Sequence, residues 1–352
     1  MYSDILSVDP NIDPSAQTVD IVYLHVGSNA NVIFGQYCTC YFDDLYLGST
    51  PPEISINHPD DDQYIAGTYT FQGSAIDNRG QGLSSVQYWL HYDLPGEHTT
   101  WENANGLADW SVTVDTNLLD DGLTDFYARV TDATGTRRQT MVSFYVDNTA
   151  PSLIVSSPSA SAYVKGSVSI SGTASDAGCG LNNVQVKIDS GQYTPTTGTT
   201  SWSYSWDTTA VTDGSHTIYV KAVDDLGNEV VKSVTVTVDN TGPVVGTITF
   251  APRYGSQGTE FDVSIDSVTD AGIGVKSVTA TIEKPDGTTF TLTLARSNTG
   301  TLWSSSFTLN SQDLQGDYNL LNVKASDFFD HTTTATTTKI VTYDRTKPVL
   351  TL

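Results

Sequence analysis

Apolar and polar residues alternate along most of this chain. In Val234-Thr235-Val236-Thr237-Val238 every second residue is apolar, and Val184-Gln185-Val186-Lys187-Ile188 and Val278-Thr279-Ala280-Thr281-Ile282 repeat the pattern. A period of two gives a strand one buried and one wet face. Val234, Val236 and Val238 are therefore expected to face a core, with Thr235 and Thr237 in water. No window sustains a helical period, and none is long and apolar enough to span a membrane. The strands are punctuated by Gly, Pro, Asp and Asn, which predicts an all-β chain of short strands and tight turns.

The punctuation itself repeats. Val146-Asp147-Asn148-Thr149-Ala150-Pro151 recurs as Val238-Asp239-Asn240-Thr241-Gly242-Pro243, and more loosely as Tyr343-Asp344-Arg345-Thr346-Lys347-Pro348. Proline after a short polar stretch stops a strand, so these segments read as domain junctions. Each unit has an early loop: Asp77-Asn78-Arg79-Gly80, then Asp176-Ala177-Gly178-Cys179, then Asp270-Ala271-Gly272-Ile273. A Trp-Ser pair follows at Trp110-Ser111, Trp202-Ser203 and Trp303-Ser304. Next come turns at Asp121-Gly122, Asp213-Gly214 and Gln315-Gly316, and late acidic loops beginning at Asp132, Asp224 and Asp327. The tryptophans read as core anchors, with sugar stacking as their other possible use. About seven short strands per unit is the pattern of a two-sheet sandwich.

In this order the motifs resemble the tandem immunoglobulin-like repeats of bacterial and archaeal surface proteins. The resemblance covers residues 51–346. It implies tandem immunoglobulin-like β-sandwiches end to end, as units 51–149, 150–241 and 242–346. The third departs from the pattern at Gln315 and at Asp330-His331. Residues 1–50 do not fit the repeat. Their ending Tyr41-Phe42-Asp43-Asp44-Leu45-Tyr46-Leu47-Gly48 resembles the closing strand of jelly-roll carbohydrate-binding and lectin-like domains, so a partial jelly-roll segment is expected there. Residues 347–352 read as the first strand of a further repeat, or as a strand donated to a neighbouring copy. Met1-Tyr2-Ser3-Asp4 lacks the basic segment and apolar run of a secretory signal, so the signal is expected to have been removed or the chain to be part of something longer.

Charge narrows the partners. Across 352 residues there are 16 Lys+Arg and 40 Asp+Glu, a formal charge of −24. Such a surface repels nucleic acid and anionic membrane, and it suits divalent cations or an extracellular coat. Cys38, Cys40 and Cys179 form neither a disulfide framework nor a Cys-x-x-Cys site. The six histidines show no paired ligand spacing, and no nucleophile-elbow, zincin or phosphate-loop motif occurs. The acids recur in register with the turns, which points to a role in each unit and not to one active site.

The expected function is therefore a non-catalytic extracellular structural or adhesive surface protein: a spacer, coat (S-layer) or filament subunit. Its partners would be copies of itself, other cell-surface proteins or a glycan. The alternative is an accessory immunoglobulin-like, glycan-binding region of a secreted polysaccharide-active enzyme. In a sandwich of this topology the early and late loops share a pole with the incoming linker. Each linker aspartate is then expected to meet two loop aspartates of the following unit. The expected metal sites are Asp147, Asp176 and Asp224 at the first junction, and Asp239, Asp270 and Asp327 at the second. Three close carboxylates repel unless a cation sits among them, and calcium is the expected ion. Asp77 and Asp132, with no linker aspartate before them, would form a weaker site or none. The competing reading makes all of these aspartates turn formers.

Overall fold

The alternating segments form strands, and their inward residues gather into cores. The structure, a computed structural model, describes residues 51–91, 100–298 and 300–345, together with a short antiparallel bridge of Leu24–His25 with Asn31–Val32. The expected jelly-roll segment and the expected strand at 347–352 lie outside the described residues. Where described, the chain is all-β apart from two single 3-10 turns at Thr116–Leu118 and Thr208–Ala210.

The first sandwich packs a three-stranded sheet against a five-stranded one. The small sheet runs Glu53–His58, Thr68–Ile76, Asp109–Asp115 in spatial order. The large sheet runs Tyr64–Ile65, Arg137–Val146, Gly122–Asp132, Leu83–His91, Glu102–Asn103. The second sandwich repeats this with Ser152–Ser157, Ser167–Ser175, Ser201–Asp207 against Tyr163–Val164, Glu229–Val238, Gly214–Asp224, Leu181–Ile188, Thr194–Pro195. Strand Gly122–Asp132 shows the physical basis of the alternation. Thr124, Phe126, Ala128, Val130 and Asp132 are buried, and the residues between them are not. Val236 and Val238 are buried as expected, with Val234 partly buried against the same core. Buried apolar residues form three clusters, one per sandwich.

The third unit differs. Eight of its strands form one continuous sheet, because Thr289–Arg296 is long, and Val244–Val245 pairs separately with Val268–Thr269. Thr289–Arg296 pairs with Val275–Glu283, then crosses over at its end, where Ala295 and Arg296 pair with Ser304 and Trp303. The corresponding strands of the first two units, Glu102–Asn103 and Thr194–Pro195, have two residues each and cannot reach.

The recurrent tryptophans are core residues. Trp110 and Trp202 are each 2% exposed and Trp303 is 8% exposed. Opposite the first two, in register, sit Gly73 and Gly172, whereas Ile265 faces Trp303. A Cβ on Gly172 would stand 1.9 Å from the Ile154 carbonyl oxygen and 2.5 Å from Trp202 Cζ2. The indoles of Trp110 and Trp202 take the space that a side chain at these glycines would fill.

Candidate interdomain junction site

The Asp-Asn-Thr segment divides its bonds between two sandwiches. As strand Arg137–Val146 ends, Asp147 points forward and is 2% exposed. Its Oδ2 accepts the backbone N–H of Cys179 at 2.7 Å, and its carbonyl accepts Asn228 Nδ2 at 3.0 Å. Asn148 points backward. Its Oδ1 accepts Gly67 N–H and the Thr116 hydroxyl, both at 2.9 Å, and its Nδ2 donates to Thr116 O at 2.8 Å. Asp121, the turn aspartate of the same sandwich, accepts the Asn148 N–H and the Thr149 hydroxyl. The second junction repeats the pattern. Asp239 Oδ2 accepts Ile273 N–H at 2.8 Å, Asn240 binds Gly166 and Thr208, and Asp213 accepts the Asn240 N–H at 2.7 Å. In the third copy Gln315 replaces the turn aspartate and donates to Asp344 Oδ1 at 2.9 Å.

The loop aspartates shape the receiving pole. Asp176 Oδ2 accepts Gly178 and Gly180 N–H groups, and Asp270 Oδ2 accepts Gly272 and Gly274. Asp224 Oδ1 accepts Leu226 and Asn228, and Asp327 Oδ1 accepts Phe329 and His331. Asp225 N donates to Gly180 O at 3.1 Å, tying the early and late loops together. A Cβ on Gly178 would stand 2.1 Å from Asp147 Oδ2, and one on Gly272 would stand 2.2 Å from Asp239 Cγ. These glycines admit the linker aspartate. In the first unit, which no linker aspartate precedes, Arg79 holds the equivalent place, and Asp77 accepts its N–H at 3.0 Å.

Not all the expected carboxylates gather in one cluster. At the first junction Asp147 and Asp176 converge with Cys179. Asp224 is linked to Asp147 through Asn228, whose Nδ2 also donates to Asp224 Oδ2 at 2.7 Å. Burial, then the Asp147 carboxylate, pushes the Cys179 thiol up to about 12, so it stays protonated at neutral pH. At the second junction Asp239 and Asp327 converge with His331, a residue that spacing alone did not single out. His331 occupies the place of Asn228. Its Nδ1 lies 2.8 Å from Asp327 Oδ2 and 4.0 Å from Asp239 Oδ1. Asp239 is fully buried, and its Oδ1 has no hydrogen-bond partner. Burial raises the Asp239 carboxyl pKa, and the charges of Asp270, Asp327 and Asp213 add to this, against the opposing Ile273 N–H. Lys165 adds a contact between the second and third sandwiches, donating to Phe329 O at 2.7 Å with its ammonium 5.0 Å from the ring centroid.

Two family models match parts of the chain. One, described as a bacterial Ig domain, covers residues 151–220. The other, a bacterial Ig-like domain of group 3, covers residues 200–283. No curated protein sequence matches the chain significantly. Solved structures are similar at low identity. A study of host cell surface retention of a 1.5-MDa bacterial ice-binding adhesin provides one, at 21% identity over 85% of this chain and 100% of that one, TM-score 0.37. The Escherichia coli adhesin FdeC is 14% identical over 84% of this chain and 98% of that one, TM-score 0.35. The fibronectin(III)-like modules of Clostridium thermocellum CbhA are 19% identical over 53% of this chain and 94% of that one, TM-score 0.32. Among the described residues no helix is long and apolar enough to cross a membrane.

Proposed function

We propose that this chain is a non-catalytic structural or adhesive part of an extracellular surface protein, in which successive sandwiches act as a spacer with fixed joints. The observation that carries the reading is the repeated clip. At both junctions an aspartate reaches forward and an asparagine backward, so the linker is bonded on both sides. A chain that only tethered its domains would need no such bonding, and a free linker samples many orientations. Partners of this kind of element are neighbouring copies, other surface proteins or a glycan. Calcium is the ion we propose for the first junction, where Asp147, Asp176 and Asp224 offer oxygens and the Cys179 thiol is protonated.

Small-angle X-ray scattering of the full chain and of the Asp147→Ala/Asp239→Ala double variant tests the joint. The wild type should give a narrow distribution of interdomain distances and the variant a broader one. Indistinguishable distributions would remove the basis for a fixed spacer. Thermal melts with calcium and with a chelator test the ion.

A further inference from the structure

We propose that the second junction is a binding site for a divalent transition ion of the zinc type, held by Asp239 Oδ1, Asp327 Oδ2 and His331 Nδ1. Three observations converge. The three donor atoms lie within 4.8 Å of one another. Asp239 Oδ1 is buried without a hydrogen-bond partner, and both aspartate side chains are fully buried. An orphaned carboxylate oxygen in such a place is costly unless a cation meets it. The other oxygens of the pair are already used: Asp239 Oδ2 accepts Ile273 N–H, and Asp327 Oδ1 accepts Phe329 and His331. The lone pairs left over face the same space.

The donor set selects the ion. Calcium takes 6–8 oxygens, whereas imidazole nitrogen suits zinc and its neighbours. Zinc takes nitrogen and oxygen donors at about 2.0–2.2 Å, which places tetrahedral donors roughly 3.3–3.5 Å apart, with water as the fourth. The separations of 2.8 and 4.0 Å from His331 Nδ1 bracket that value. In the neutral ring the proton moves to Nε2, leaving Nδ1 free to bind. The His331 side chain is 25% exposed and offers the way in. Asp270 stays outside the set, held by its own turn, and adds negative charge.

The first junction supplies the control. There Asn228 stands where His331 does, and its Nδ2 donates to the Asp147 carbonyl oxygen and to Asp224 Oδ2. His331→Asn therefore installs a side chain already used in the sibling loop. Isothermal titration of the full chain with zinc chloride should show one tight site. It should be weaker by about 100-fold in H331N and again in Asp239→Asn, which keeps an oxygen for Ile273 N–H. Cobalt(II) should give visible d–d absorption in wild type and lose it in both variants. Calcium should not compete. D239N serves if H331N folds poorly. Equal zinc affinity in wild type and variants, calcium binding as tight as zinc, or no stoichiometric site would each overturn the proposal. The scattering test of the spacer is run in chelator, because its Asp239→Ala change also removes a proposed ligand, and so its outcome is read apart from zinc binding.

Discussion

Replacing Gly172 with alanine should unfold the second sandwich at a distinctly lower temperature. The new Cβ would stand 1.9 Å from the Ile154 carbonyl oxygen and 2.5 Å from Trp202 Cζ2. Carbon–oxygen contacts normally begin near 3.3 Å, so the two must part by about 1 Å or more. Neither can yield easily. Ile154 O belongs to the paired strand Ser152–Ser157, and Trp202 is 2% exposed within the core. Overpacking of this kind costs about 1–3 kcal/mol, and contact with backbone favours the upper half of that range. For a sandwich of this size each kcal/mol moves the midpoint by about 4–8 °C, which predicts a fall of roughly 10–20 °C. Differential scanning calorimetry of the full chain measures it, and hydrogen exchange locates the loss within 152–238. Gly166→Asn is the matched control. Gly166 has φ +58° and open space around its Cβ, and asparagine tolerates that backbone, so its change should be small. A fall of less than about 2 °C in G172A, or an equal fall in G166N, would refute the claim that the glycine exists to seat the tryptophan.

Asn240→Ala should cost about 1–3 kcal/mol, because it strands the Gly166 N–H beneath the linker, while the Thr208 hydroxyl keeps Gly166 O and the Thr208 carbonyl keeps the Val211 N–H; denaturant melts of the full chain will show it. Gly178→Ala should expel Asp147 from its pocket and loosen the first joint, read as broader scattering distances, whereas Arg79→Ala should leave the joints unchanged. The His216–Asp189 pair, 2.7 Å apart, should make stability depend on pH. Burial alone would lower the His216 pKa, but hydrogen bonds to Asp189 and the Thr212 carbonyl outweigh it and the net shift is upward. Asp189 shifts downward: burial opposes the change, but bonds from Thr217 and His216 outweigh it. The His216 contribution is thus complete below about pH 6.5 and lost as pH rises through the raised value. The Asp189 contribution is complete above about pH 4 and lost as pH falls through the lowered one. Asp189 is partly exposed, so a loss of about 1 kcal/mol or less is expected between pH 6 and pH 9 in urea melts, and His216→Gln should flatten it.

The fold was legible because its signals are local. Val236 and Val238 fall inward by strand period, and the tryptophans sit at the same register in every unit. What the sequence hid are the relations across strands. Gly73 and Gly172 look like ordinary strand glycines until pairing sets them under Trp110 and Trp202. The crossover of the third unit rests on the length of Thr289–Arg296, which alternation alone does not bound.

The junctions divide in the same way. Linker and loop aspartates were readable as a set because they recur, but recurrence could not say which oxygens were already spent. Asp176 and Asp270 close their own turns, a use that any Asp-x-Gly permits. The asparagine of the linker went unread although its side chain makes more bonds than its neighbour's, since an Asn three residues before Pro looks like simple punctuation. One signal was present and could have been used. Glycine stands two residues after the loop aspartate in the two units that receive a linker aspartate, and Arg79 stands there in the unit that receives none. That correlation is a steric one: the chain omits a side chain only where Asp147 or Asp239 must pass. The same comparison marks His331 against Asn228. A neutral amide closes one junction by donating to both sides, and an imidazole at the other can only donate or accept at Nδ1. The orphan itself comes from the linker: Thr149 N–H donates to Asp147 Oδ1 at 3.3 Å, whereas Thr241 N–H turns to Asp213, so Asp239 Oδ1 is left without a donor and faces the imidazole.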